Sequence, residues 1–161
     1  MNKMLLVVLF ACLLSACEPV DRTPGMWLSG ELVTAEITDW TFSNEQREVF
    51  LQTHPWYGIP FSITVVAATT GDKLFMPSIY SEPVAFPEGK YWNRIVAKNP
   101  EVLIRIGGKL YPRSVHLIVD EDEFEEAFSA LASKYDYWKA VKEGDVERPP
   151  FVLLRLDPSE K

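Results

Sequence analysis

Two short turns divide much of the chain into paired β-prone runs, and this pairing limits the available folds more than any other feature. Residues 61–68 are rich in β-branched side chains, Thr69-Thr70-Gly71-Asp72 supplies a turn, and residues 73–77 return. Residues 101–106 and 109–119 flank Gly107-Gly108 in the same way. Strands joined by so few residues run antiparallel, because a parallel connection needs a crossover of a dozen residues or more. Further strands are expected at 31–37, at 48–53 with Val49, Leu51 and Thr53 on one face, and at 151–156. His54-Pro55-Trp56-Tyr57-Gly58-Ile59-Pro60 breaks the strand before it, since proline gives the ladder no donor.

Helices interrupt the hairpins. Residues 90–98 read as a short helix stopped at Asn99-Pro100, because the residue before proline avoids the α region. Asp120 caps a second helix with Glu123 three residues on, and Glu121, Asp122 and Glu123 suit the positive end of the helix dipole. Phe124, Ala127, Phe128 and Leu131 then recur at helical spacing and face a core. Residues 135–141 give another short helical piece, and 78–89 an ordered loop carrying Pro83 and Pro87. Five Trp, nine Phe and six Tyr supply an interior. The pattern implies an α+β domain whose mainly antiparallel sheet curls toward a barrel.

Charge and cysteine usage narrow the function. Acidic residues outnumber basic ones 23 to 16, a net charge of −7, which excludes a general binder of the nucleic-acid backbone. Lys3 precedes an unbroken apolar run over 5–14, too short to span a bilayer that needs about 20 residues. The run ends in Leu14-Ser15-Ala16-Cys17, which resembles the lipobox of bacterial lipoproteins. That resemblance implies a signal peptide over 1–16, a lipidated tether over 17–25 and a folded domain over 26–161. Acyl chains on Cys17 would hold the protein in the lipid bilayer. Glu18 after the cysteine implies the outer membrane, facing the periplasm. Cys12 leaves with the signal, so the domain has no free thiol. His54 and His116 are the only histidines, at no metal-ligand spacing, and no metal is expected.

The order of hairpin, Lys90-Tyr91-Trp92-Asn93, Asn99-Pro100-Glu101-Val102, Gly107-Gly108 and acid-capped helix resembles the split β-barrel flavin-binding proteins. These include the pyridoxamine-phosphate-oxidase-like and deazaflavin-dependent nitroreductase families, the second being nearest over 92–135. The resemblance implies a mainly antiparallel split β-barrel with one or two packed helices, FMN or deazaflavin as cofactor, and a homodimer. Those families hold the cofactor phosphate with an Arg-Lys-Ser/Thr-Gly stretch between the first strands. Here Thr53-His54-Pro55-Trp56-Tyr57-Gly58 stands in that place, and only Gly58 and His54 answer to it.

Each candidate site residue has two readings. Lys90, Arg94 and Lys98 recur every four residues, as an anion clamp or as a solvated helix face. Trp92 walls a ring-binding pocket, or joins Tyr91 and Asn93 in fixing the helix to the barrel, with Asn93 bonding backbone. His54 beside Trp56 and Tyr57 is a base or ligand donor, or a structural histidine on a loop. His116 is an alternating strand position, Ser62 and Thr64 share a strand face that could line the same cavity, and Trp27, Trp40 and Trp138 read as core. Two functions follow. The favoured one is an envelope binding module for a small anionic or aromatic ligand or a protein partner. The alternative is an FMN- or deazaflavin-dependent reductase of the nitroreductase type, its ring on Trp92 and its phosphate near Lys90 and Arg94. Reduced nicotinamide has no ready pool outside the cytoplasm, which is why the binding module comes first.

Overall fold

Every β-prone run found in the sequence joins one eight-stranded sheet, seen in a computed structural model that describes residues 25–159. The expected signal and the tether up to residue 24 lie outside the described residues. The strands are β1 (Glu31–Leu32), β2 (Val49–Thr53), β3 (Phe61–Val65), β4 (Ala68–Thr70), β5 (Lys73–Ile79), β6 (Glu101–Ile106), β7 (Lys109–Leu117) and β8 (Phe151–Pro158). Their order is β3-β2-β6-β7-β8-β5-β4, antiparallel throughout, with β1 added in parallel to β7. A 3₁₀ turn (Thr41–Glu45) and helices α1 (Tyr91–Val96), α2 (Glu121–Lys134) and α3 (Asp136–Glu143) complete the fold.

The first expected hairpin is divided. Residues 61–68 do not pair as one strand with 73–77: β3 pairs with β2 around the 54–60 loop, and only β4 pairs with β5. The break has a cause at Ala67. Its N–H donates to no strand carbonyl but to the Tyr135 hydroxyl (3.3 Å). Its carbonyl accepts from Tyr135 Oη (2.9 Å) and Lys134 Nζ (2.7 Å). Side chains from the end of α2 thus satisfy backbone groups that a ladder would otherwise use. The strand expected at 31–37 is also cut to two residues, because Val33 N–H makes a last bond to Leu110 O (2.8 Å) before the chain turns away.

Alternation along β5 and β8 builds two layers of core. Leu74 and Met76 face the sheet's concave interior with Leu51, Ile104, Leu154 and Trp40, whereas Phe75 and Leu153 face α2 and α3 through Ala127, Phe128, Leu131 and Trp138. The expected cap of α2 is present, Glu123 N–H donating to Asp120 Oδ1 at 2.9 Å. The Glu123 carboxylate does not close the reciprocal half of the box; it accepts from Arg155 Nη1 at 2.5 Å. Gly144, at φ +84°, ends α3 in the left-handed cap that glycine alone adopts without strain.

Lys134 donates to Ser43 O (2.8 Å) as well as to Ala67 O, tying α2 to the 3₁₀ turn and the β3–β4 break. Burial pushes its ammonium down to about 8 from 10.5. Between those values the unfolded chain binds more protons than the folded one, so stability rises with pH across that window. Urea unfolding at pH 8 and pH 10 should show this rise for the wild type, and Lys134→Met should remove its share of it.

Candidate functional site

The residues expected to form a site lie on or beside α1 and on the neighbouring β2–β3 loop. Lys90 is the residue before α1, partly buried, and burial pushes its pKa down. Arg94 is exposed and reaches Glu88 at 3.3 Å, so its charge already has a partner. Lys98 lies beyond the end of α1, so the three cations do not share a helix face. Trp92 is 6% exposed and packs with Trp40, Val96 and Ile104, which leaves little of its ring open. Asn93 is fully buried, and its Nδ2 donates to Tyr80 Oη (2.8 Å) and Ser78 Oγ (3.1 Å), side chains rather than the backbone expected.

On the neighbouring loop, Tyr57 Oη meets Tyr91 Oη at 3.3 Å, and His54 uses its carbonyl to accept from Asn99 Nδ2 (3.3 Å). Ser62 and Thr64 do not share a cavity: Thr64 is exposed, while Ser62 is buried and accepts from Gly25 N–H at 2.8 Å. Trp40 and Trp138 are core, but Trp27 is 56% exposed. His116 is an exposed strand position 3.6 Å from Asp157.

A site that the sequence reading missed lies around Trp40 and Arg113. Arg113 projects from β7, 6% exposed, with its Cζ 4.5 Å above the Trp40 ring centroid. Trp40 is positioned by its own N–H bond to Gly71 O (2.9 Å) and by an edge contact with Tyr111 at 5.1 Å. The two residues open on a cleft of about 600 Å³ that also includes Ile37, Lys73, Arg155 and Asp157. The other cations here are engaged: Lys73 with Glu126 (2.6 Å), and Arg155 with Asp157 (2.6 Å) and Glu123. Arg113 is different. Its buried Nε has no hydrogen-bond partner, and burial pushes its pKa below the ordinary arginine value despite the field of Asp157.

A buried guanidinium with an empty donor is costly, because charge taken out of water needs a partner to offset its lost solvation. The Trp40 face supplies part of that offset and leaves Nε without a hydrogen-bond acceptor. Another cleft, of about 570 Å³ beside α2, has Lys134 in its wall, but that ammonium already serves two carbonyls. Among the described residues no group of three or more His, Cys, Asp or Glu could hold a metal ion. No helix among them is long and apolar enough to cross a membrane.

No protein-family model matches the sequence, and no curated protein sequence matches it either. Solved structures do. A protein described as a 5-nitroimidazole antibiotic resistance protein from Bacteroides thetaiotaomicron aligns over 89% of this chain and 93% of its own, with 15% identity and a TM-score of 0.54. The fold is the split barrel. HutZ, the heme storage protein of Vibrio cholerae, shares it over 75% of this chain and 87% of its own (14% identity, TM-score 0.54). An FAD-binding protein from Mesorhizobium loti does so over 74% and 84% (16% identity, TM-score 0.50). At such identities the split barrel is shared as architecture, and the chemistry must be argued from this chain's own residues.

Proposed function

We propose that this chain is a lipid-anchored envelope protein, held through Cys17 at the periplasmic face of the outer membrane. Its split-barrel domain binds a small carboxylate-bearing ligand in the Trp40–Arg113 cleft. The lipobox pattern over 14–17 supports the anchoring, and Glu18 supports the choice of membrane. The unpartnered, buried Nε of Arg113 carries the ligand reading. A carboxylate in the cleft would be met by the Arg113 guanidinium, whose planar fork suits two-point recognition. The cleft volume falls in the range of small-molecule sites. Glu36 and Asp72 also line it, which disfavours a phosphate dianion and favours a ligand that adds an amine to its carboxylate.

Thermal unfolding of the exported Cys17→Ser protein with benzoate, alanine and inorganic phosphate tests this. The carboxylates should raise the melting temperature of the parent, and Arg113→Met should abolish that rise while Lys90→Ala with Arg94→Ala keeps it. Stabilisation that survives Arg113→Met but fails in the α1 pair would move the ligand to the α1 edge.

An FMN- or deazaflavin-dependent reductase is the second reading, supported by the fold shared with an FAD-binding protein. The residues of this chain do not fit the cofactor's phosphate at the expected place. His54 stands alone in the 53–58 stretch, Arg94 is held by Glu88, and Trp92 is enclosed by the core. An absorption spectrum of gently purified protein decides, because a co-purified flavin would restore this reading.

A further inference from the structure

Large apolar side chains are conspicuously exposed where the described chain begins. Gly25 pairs with the edge strand β3, its N–H on Ser62 Oγ and its carbonyl accepting from Ser62 N–H at 3.0 Å. Leu28 N–H is held by Gln52 Oε1 of β2 at 2.6 Å, so Met26 and Trp27 lie between a contact to β3 and one to β2, 53% and 56% exposed. The β2–β3 loop turns at Pro55–Gly58, where Gly58 N–H donates to Pro55 O (3.1 Å) and φ is +80° at Gly58. That turn holds Trp56 out at 94% exposure, with its ring 5.9 Å from Tyr57. Tyr57 touches Tyr91, and Tyr91 packs on Phe61, the neighbour of Ser62. The aromatic loop and the start of the described chain therefore meet at the same end of β3, reached from its two faces, since Phe61 and Ser62 are consecutive strand residues.

The reach of the tether decides what covers it. Eight residue steps separate Cys17 from Gly25, a span of roughly 29 Å when fully extended. A domain of this length is roughly 37 Å across, taken as a sphere with the usual radius of gyration. An acylated Cys17 therefore cannot hold the domain with this edge pointing away from the bilayer. Tryptophan and tyrosine rings sit favourably at the boundary between headgroups and acyl chains, where an apolar body and a polar tip are both accommodated. Lys90 and Lys98 flank α1, the helix that carries Tyr91, and place basic residues near this end of a chain of net charge −7.

We infer that the edge formed by Trp27, Trp56, Tyr57 and Ile59, the last 47% exposed on the same loop, docks on the surface of the lipid bilayer and orients the domain, an inference that rests on the anchoring of Cys17 proposed above. The covering surface is lipid, and a second copy of the chain is the competing occupant.

The test reconstitutes the full lipidated chain in vesicles of dibrominated phosphatidylcholine with phosphatidylglycerol and reads tryptophan fluorescence. Bromine quenches only at short range, so Trp27 and Trp56 should be quenched while the enclosed Trp40, Trp92 and Trp138 are spared. The doubly substituted Trp27→Ser, Trp56→Ser chain should lose most of that quenching and still unfold at the parent's temperature, since both rings are exposed. Membrane fractionation of the parent and Cys17→Ser reads the anchor separately: a parent that leaves the membrane fraction overturns the anchoring reading itself. A chain that stays anchored but shows equal quenching with and without the two rings overturns the docking. So does a cross-linked dimer that the same substitutions abolish, which would give the edge to a second copy.

Discussion

Trp40→Ala is expected to lower the unfolding free energy by about 3–5 kcal/mol, a large share of the roughly 5–15 kcal/mol that keeps a domain folded. Trp40 is 1% exposed and meets Phe42, Tyr111 and Arg113 on three sides. Its removal leaves a cavity, and it also strips the guanidinium above it of the aromatic face that offsets part of its burial. Arg113→Met should behave in the opposite way. An apolar side chain of similar length fills the space over Trp40 and ends the cost of an unpaired charge, so stability should stay within about 1 kcal/mol of the parent or rise above it. Urea denaturation checks both, as a lower midpoint for Trp40→Ala and an equal or higher one for Arg113→Met. A large loss in Arg113→Met would mean that the arginine holds the fold together and does not wait for a ligand.

Asn93→Ala should cost about 2–4 kcal/mol, through a small cavity and through the partners it abandons. Asn93 and Ser78 are fully buried, and Tyr80 nearly so, and the three side chains form a closed polar network between α1, β5 and the loop that follows it. Leaving the Ser78 hydroxyl without its amide partner removes a bond that water cannot replace. The effect is readable as a lower denaturation midpoint with an unchanged slope. A loss below about 0.5 kcal/mol would show that α1 is fixed by Trp92 and Ile95 alone, contrary to the role given to this network.

What the sequence disclosed was mostly local. Gly107-Gly108 and Asp120 with Glu123 act on the backbone within a few residues, so the second hairpin and the start of α2 could be placed from them, whereas α1 runs only from Tyr91 to Val96 and ends before the Asn99-Pro100 stop expected for a helix over 90–98. The break at Ala67 could not, because it depends on Lys134 and Tyr135, far away in the chain. The split-barrel resemblance was legible through the order of those local signals over 92–135, which the shared architecture of the solved structures bears out.

The cleft was hidden for a related reason. Arg113 occupies an ordinary position in a β-prone run, and Trp40 looked like any core aromatic. Only the fold brings one over the other and leaves the guanidinium donor empty. His54, Tyr57, Lys90, Trp92 and Arg94 were conspicuous as residue types. The structure spreads them over α1 and the β2–β3 loop, where Arg94 has an acid beside it and Trp92 turns inward.

The most direct measurement is native mass spectrometry of the Cys17→Ser protein, exported to its compartment and purified gently, beside Arg113→Met prepared in parallel. A small carboxylate-bearing molecule is expected on the parent and not on Arg113→Met, with both proteins equally folded. The same molecule on both, or a flavin that survives Arg113→Met and is lost from Lys90→Ala, would contradict it.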